Sequence, residues 1–257
     1  MILIQRLKNY QGLALFLLYP LVLTPLPQLW VDLLCTASLI ISVIVFILTT
    51  KQSTQTLRWL PTILEISAVF RLCLYAPIAR LILGQPTALD DWLLRPVGAL
   101  IAQDTPVGLL VGFGIFAGLQ LVVIPQGVSR ISEVSARFAL DSLPGRQLEI
   151  EQKFTLAEIT RPEADRLQAQ LSYTTRRLGK IDASVRFLAL EVRIGVAVSA
   201  LILLLGSAHA IFWQSNSPAV AFSEYLQLAV GAHIVCVTPL LIMIVATVNL
   251  MRDTLPE

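Results

Sequence analysis

Charge is what this chain has least of. Only 14% of its 257 residues are Asp, Glu, Lys or Arg, against roughly 25% in an average soluble protein. Hydrophobic residues make up 56%, and the mean hydropathy is +0.75. That balance excludes an ordinary soluble domain and reads as an integral membrane protein. The net charge of +2 is too small to suggest nucleic-acid binding. Cysteine is sparse too. Cys35, Cys73 and Cys236 lie in apolar runs with no C-x-x-C pair, so neither a disulfide framework nor a metal site follows and they read as small apolar fillers. The two histidines, His209 and His233, stand alone and suggest no ligand set. A small-x-small cleavage site is also missing. Arg6, Lys8 and the apolar stretch after them imitate a secretory signal, but a second apolar run starts at once, so an uncleaved signal-anchor is expected.

Apolar runs, by contrast, are plentiful. About 20 apolar residues can cross the hydrocarbon core as a helix, and spans are expected near 11–27, 29–50, 60–83, 106–125, 192–213 and 230–250. The expected fold is all-α: a polytopic helical membrane protein of about six transmembrane helices, with a long helical loop between spans four and five. Three parts follow: 1–125 with four spans, the loop 126–191, and 192–257 with two spans. Pro25-Leu26-Pro27 should join the first two spans in a tight hairpin. The stretch "SPAVAFSEYLQLA" carries Glu224 and reads as an interfacial or re-entrant helix ahead of the last span. Arg6, Lys8, Lys51, Arg58, Arg252 and the basic loop all fall on one side, while the opposite connections hold only Arg95. The excess of Lys and Arg on cytoplasmic loops then places both termini and the long loop in the cytoplasm.

The loop concentrates the charge: 20 of the 36 charged residues lie between 126 and 193. Such density belongs outside the bilayer, since a charge at a membrane-helix centre costs roughly 2.5–3.5 kcal/mol on insertion scales. Residues 128–142 predict a helix with one apolar stripe, Val128, Ile131, Val134 and Phe138. Glu133–Arg137, Arg137–Asp141 and Arg130–Glu133 have the spacing of helix-surface ion pairs. Pro144-Gly145 should stop this helix. Thr160-Arg161-Pro162-Glu163 has the pattern of a capping box opening a second one, with Ile159, Leu167, Leu171 and Leu178 as its stripe. A solvated helical hairpin packed on the membrane part and an interaction surface both fit these residues.

The run Arg130-Ile131-Ser132-Glu133-Val134-Ser135-Ala136-Arg137-Phe138-Ala139-Leu140-Asp141-Ser142-Leu143-Pro144-Gly145-Arg146-Gln147 closely resembles the signature of the FHIPEP family, the export-gate proteins of flagellar and virulence type III secretion. "LTPLPQLWVDLL" is similar to the family's first hairpin, with Asp32 at its acidic position. "LPTILEISAVFRLCLYAPIARLIL" is similar to its third span, with Arg71 and Arg80 at two arginine positions. "GKIDASVRFLALEVRIG" and "FSEYLQLAVGAHIVCVTPLLI" resemble the approaches to spans five and six. The resemblance implies a homo-oligomeric, nine-subunit ring in the bacterial inner membrane, beside other membrane proteins of the export apparatus. It implies proton-motive-force-linked export of unfolded proteins, no organic cofactor and no covalent chemistry on the cargo, hence no enzyme. The family continues into a large soluble domain that docks substrates and chaperones, so this chain is expected to meet secreted proteins only indirectly. The resemblance further implies that the family-signature loop, Arg130, Glu133, Arg137, Phe138, Asp141, Pro144, Gly145, Arg146, Gln147 and Glu151, belongs to the cytoplasmic face of the gate.

The sequence departs from the family at several polar positions. Lys153 replaces the second of two acidic residues after Glu151, and Ala189, Leu190 and Glu191 stand where a basic residue and Gly-Asp are usual, with Arg193 two residues on. Gly231-Ala232-His233 replaces Gly-Asp-Gly, and Tyr75 replaces an asparagine. The candidates for proton coupling or structural pairing are Glu191, Asp182, Arg193, Arg71, Arg80 and Asp32. Glu191 has Phe187 and Leu188 a turn before it and no local cation, so it reads as an unpaired, partly desolvated carboxylate. Asp182 has Arg186 at i+4. Arg71 and Arg80 lie in or beside a span, where ionisable groups default to functional or paired roles, and Pro77 is expected to kink the helix between them. Gly114 and Gly118 form a small-xxx-small pair on span four, a means of close helix packing. Two further readings stay open: a degenerate structural ring subunit, or a stand-alone ion channel or transporter reusing the fold.

Overall fold

The computed structural model describes residues 22–50, 56–84, 93–101 and 105–253. Six helices occupy them: α1 (Gln28–Thr50), α2 (Thr56–Gly84), α3 (Leu94–Ile101), α4 (Pro106–Thr155), α5 (Arg161–Trp213) and α6 (Pro218–Asp253). No strand occurs among the described residues. All but α3 are long and apolar enough to cross a membrane, so the chain is an all-α polytopic membrane protein. The first expected span, 11–27, and the signal-anchor reading lie mostly outside the described residues. α1 begins directly after Pro27, whose carbonyl accepts the Trp30 N–H at 3.0 Å.

α6 is the central helix. Its apolar window is 67% buried within the chain, against 17% for that of α4. Around it the buried side chains form two apolar clusters stacked along the bundle. One gathers Val31, Leu74, Ile78, Ile202, Tyr225 and Leu226; the other gathers Val45, Leu60, Leu64, Leu188, Leu240 and Met243. Close helix approach is set by glycine. A side chain on Gly206 would collide with the Tyr225 ring, one on Gly98 with the Gln227 carbonyl, and one on Gly231 with the Leu94 carbonyl. The last two contacts are reciprocal and press α3 flat against α6. Gly114 and Gly118 pack differently from that pattern: a methyl group on either would meet nothing within 4 Å.

Two expectations about helix boundaries are corrected. α4 runs without interruption through Pro144-Gly145 to Thr155. Proline and glycine carry a local penalty in a helix, but here Leu143 and Gln147 face Asp165, Gln168, Leu171 and Ser172 of α5 across a groove, and that pairing overrides local preference. The helix ends later, where the Leu156 N–H returns to the Gln152 carbonyl and Ala157 takes a positive φ of 56°. The stretch before the last span is likewise no separate interfacial helix but the opening turns of α6. It stays in line because Ala221, Tyr225, Leu226 and Ala229 are buried and Arg95 of α3 pairs with Glu224 at 3.3 Å. α2 carries Pro77 in its interior. As expected, α5 opens at Thr160, where the Glu163 carboxylate accepts the Thr160 N–H and hydroxyl, both at 2.9 Å. Those two donors hold the Glu163 carboxyl below its usual range.

α4 is 50 residues long and α5 is 53. At 1.5 Å per residue each extends about 75–80 Å, far more than the roughly 30 Å of hydrocarbon. The parts drawn at 125/126 and 191/192 therefore meet inside continuous helices. The outer hairpin is thus joined to the spans by unbroken helix in both of its arms.

Candidate functional site

Where the two apolar clusters meet, each long helix contributes a buried polar residue. These are Ser38 and Ser42 on α1, Arg71 on α2, Gln120 on α4, Glu191 and Ser199 on α5, and His233 on α6, none more than 4% exposed. Burial of so many polar groups demands partners, and most of them have one.

The strongest contact is between Arg71 and Glu191. Arg71 Nε donates to Glu191 Oε1 at 2.6 Å and Nη2 donates to Oε2 at 2.9 Å. Their side chains are 2% and 0% exposed, so the fork-on-carboxylate pairing is fully desolvated. The expectation that Glu191 is unpaired is overturned. A helical wheel of α5 shows only local neighbours, and this partner comes from α2, 120 residues away in sequence. Arg71 Nη1 finds no acceptor among the described residues.

A second group lies along the same face of α5. Glu191, Gly195 and Ser199 are spaced by four, one above the other. Tyr75, a turn beyond Arg71, places its hydroxyl against Gly195 where any side chain would collide. Ser199 Oγ lies 3.0 Å from His233 Nδ1, and His233 Nε2 lies 2.8 Å from Gln120 Oε1. The Ser199 hydroxyl also lies 2.9 Å from the Gly195 carbonyl and donates to it, so which ring nitrogen of His233 carries a proton decides the direction of its two contacts. Phe113 and Phe116 stand edge-on to that ring, at 5.2 and 6.3 Å between centroids. His233 thus bridges α4, α5 and α6 inside the membrane.

The other candidates are dispersed. Asp182 pairs with Arg186 at 3.1 Å and also accepts the Ser132 hydroxyl at 2.6 Å. Arg80 Nη1 donates to the Leu23 carbonyl at 2.8 Å. Asp32 is buried a turn before Cys35. Arg193 is exposed, on the side of α5 away from Glu191. The ten signature residues, Arg130, Glu133, Arg137, Phe138, Asp141, Pro144, Gly145, Arg146, Gln147 and Glu151, are all exposed on the outer part of α4. The stripe expected there is corrected. Val128 is buried, but Ile131, Val134 and Phe138 are 40%, 50% and 61% exposed, because α5 takes the side of α4 that carries Ser132. The ion pairs expected among Arg130, Glu133, Arg137 and Asp141 are likewise absent among the described residues. Lys153 and Glu149 pair instead, at 2.6 Å, which lowers the Glu149 carboxyl and raises the Lys153 amine. Ser199 and Gln120 carry no mark in the sequence, and His233 stands there only as a lone histidine with no ligand set. The four-residue spacing of Glu191, Gly195 and Ser199 was the available signal.

Residues 18–252 match the FHIPEP family. The chain belongs to that family. It is 32% identical to the "Flagellar biosynthesis protein FlhA" of Borreliella burgdorferi over 229 residues, which cover 87% of this chain and 33% of the relative. It is 32% identical to the "Secretion system apparatus protein SsaV" of Salmonella typhimurium over 213 residues, 82% of this chain and 31% of that one. The "Hypersensitivity response secretion protein HrcV" of Ralstonia nicotianae is 27% identical over 234 residues, 90% of this chain and 34% of its own length. The chain thus spans about a third of the length of these FHIPEP relatives. No solved structure matches it. Five apolar helices and relatives of this kind point to an inner-membrane protein.

Proposed function

We propose that this chain is the membrane part of a type III secretion export gate, with the Arg71–Glu191 pair as a proton-responsive latch between α2 and α5. The observation that carries the latch is the buried bidentate contact at 2.6 and 2.9 Å. A carboxylate held this way is secured by its charge. A proton on Glu191 removes that charge and strands the guanidinium, so α2 and α5 no longer hold each other. The continuous α5 carries the change outward to the hairpin, whose exposed signature faces the rest of the export machinery. On this reading the chain sits in the bacterial inner membrane with the hairpin and termini in the cytoplasm. It assembles with copies of itself into a ring, nine by family resemblance, beside other export-apparatus proteins, and meets secreted proteins indirectly.

A purely structural subunit is the second reading. It is favoured by Lys153 and Ala232, where the family has carboxylates. Secretion measured in cells carrying Glu191→Gln, Arg71→Gln or Asp182→Asn separates the two. The latch predicts that the first two variants abolish secretion while still accumulating in the membrane, and that the third secretes normally, because Asp182 keeps its Ser132 contact. Near-normal secretion by Glu191→Gln in an assembled complex removes the latch and leaves the structural subunit.

A further inference from the structure

We propose that Arg193, supported by Arg186, forms a headgroup site for an anionic phospholipid on the outer face of α5. Arg186, Leu190, Arg193, Ala197, Leu201 and Leu204 recur at three- and four-residue spacing and are all exposed, so they form one face of the helix. From Ala197 onward that face is wholly apolar, with Leu201 52% and Leu204 65% exposed. It is a face for hydrocarbon, and the two arginines stand at its edge.

Three observations fix the level and the charge. About 20 residues, or 30 Å of helix, separate Trp213 from Arg193, so Arg193 stands where the hydrocarbon ends on the hairpin side. Side chains on a helix lean toward its N-terminus, which in α5 is the hairpin side, so Arg193 reaches out of the hydrocarbon toward the headgroups. Nearby carboxylates are already taken: Glu191 by Arg71 and Asp182 by Arg186. Arg193 makes no hydrogen bond or ion pair with any described residue. Its charge is therefore left uncompensated by any described residue, and a lipid phosphate, bound by the two-pronged guanidinium, compensates it. Arg186, about two turns farther out and 69% exposed, keeps free N–H groups facing the same layer. The inference needs only the membrane, and stands whether or not the gate reading does.

Native mass spectrometry of the purified protein released from nanodiscs tests it. The discs contain phosphatidylglycerol and phosphatidylcholine in equal amounts, and bound lipid is counted by mass. The wild type should retain phosphatidylglycerol preferentially. Arg193→Gln should cut that retention about fivefold and Arg186→Gln by less, a basic residue near an anionic surface contributing on that order. Arg193→Lys should keep part of it, which controls for misfolding, since it preserves the charge and stem. Equal retention of both lipids by the wild type, or unchanged retention by Arg193→Gln, overturns the site. So does loss of oligomer without loss of lipid in Arg193→Gln, which would assign Arg193 to a neighbouring subunit's carboxylate.

Discussion

A carboxylate and a guanidinium buried side by side in a membrane protein are each held there by the other. Removing one partner leaves a bare charge in a dry site, at a cost of about 3–5 kcal/mol, whereas replacing both with apolar residues of similar size is often close to neutral. Arg71→Met and Glu191→Leu should therefore each lower thermal stability in detergent by about that amount, and the double variant should recover most of the loss. Additive losses would mean that the two side chains do not depend on each other. The same pair shows what a sequence can and cannot disclose at this scale. Each residue was recognisable as costly where it stood, because a charged group in an apolar run calls for a reason. Their contact was not, since 120 residues of chain separate them and no local spacing connects α2 with α5. His233 illustrates the converse: alone in the sequence, it is joined to Ser199 and Gln120 only when three helices meet.

Among the elements, the apolar runs announced α1 and α2 to within a few residues and the far ends of α5 and α6 equally well, because length and hydropathy alone decide what can cross a bilayer. The apolar spans of α5 and α6, however, begin at Asp182 and Pro218, well before the expected 192 and 230. Helix ends were less legible. Pro144-Gly145 has the composition of a stop, yet the packing of α4 on α5 carries the helix past it. Glycine was ambiguous for the same reason. Gly114 and Gly118 have the spacing of a packing motif but open space around them, while Gly98, with no motif to mark it, lies hard against the Gln227 backbone. A carbonyl cannot rotate aside as a side chain can, so Gly98→Ala should push α3 off α6 and cost about 1–3 kcal/mol, the usual range for overpacking. Gly114→Ala should change stability of the isolated subunit by no more than about 0.5 kcal/mol. Thermal unfolding in detergent compares the two, and equal effects would contradict the packing described for α3.

At the scale of the whole molecule, the order of the helices fixes sidedness relations before any orientation is known. α4 and α5 project as one hairpin, so its tip at Glu158 lies on one side and the α5–α6 turn at Ser217 on the other. The connection between α1 and α2, with Lys51, and the end of α6, with Arg252, must share the side of the tip. Every basic connection but Arg95 therefore falls on a single face, and Arg95 is paired with Glu224. On the orientation proposed above, the bias of Lys and Arg toward cytoplasmic loops puts that face in the cytoplasm. With Cys35, Cys73 and Cys236 replaced by alanine, a cysteine at Glu158 should react with a membrane-impermeant maleimide only in inverted vesicles. One at Ser217 should react in intact spheroplasts. Both positions are exposed, so failure to label cannot be blamed on burial. Labelling of both from the same side would break the helix order itself. A clean reversal of the two would keep the fold and overturn only the orientation, along with the cytoplasmic role of the hairpin that rests on it.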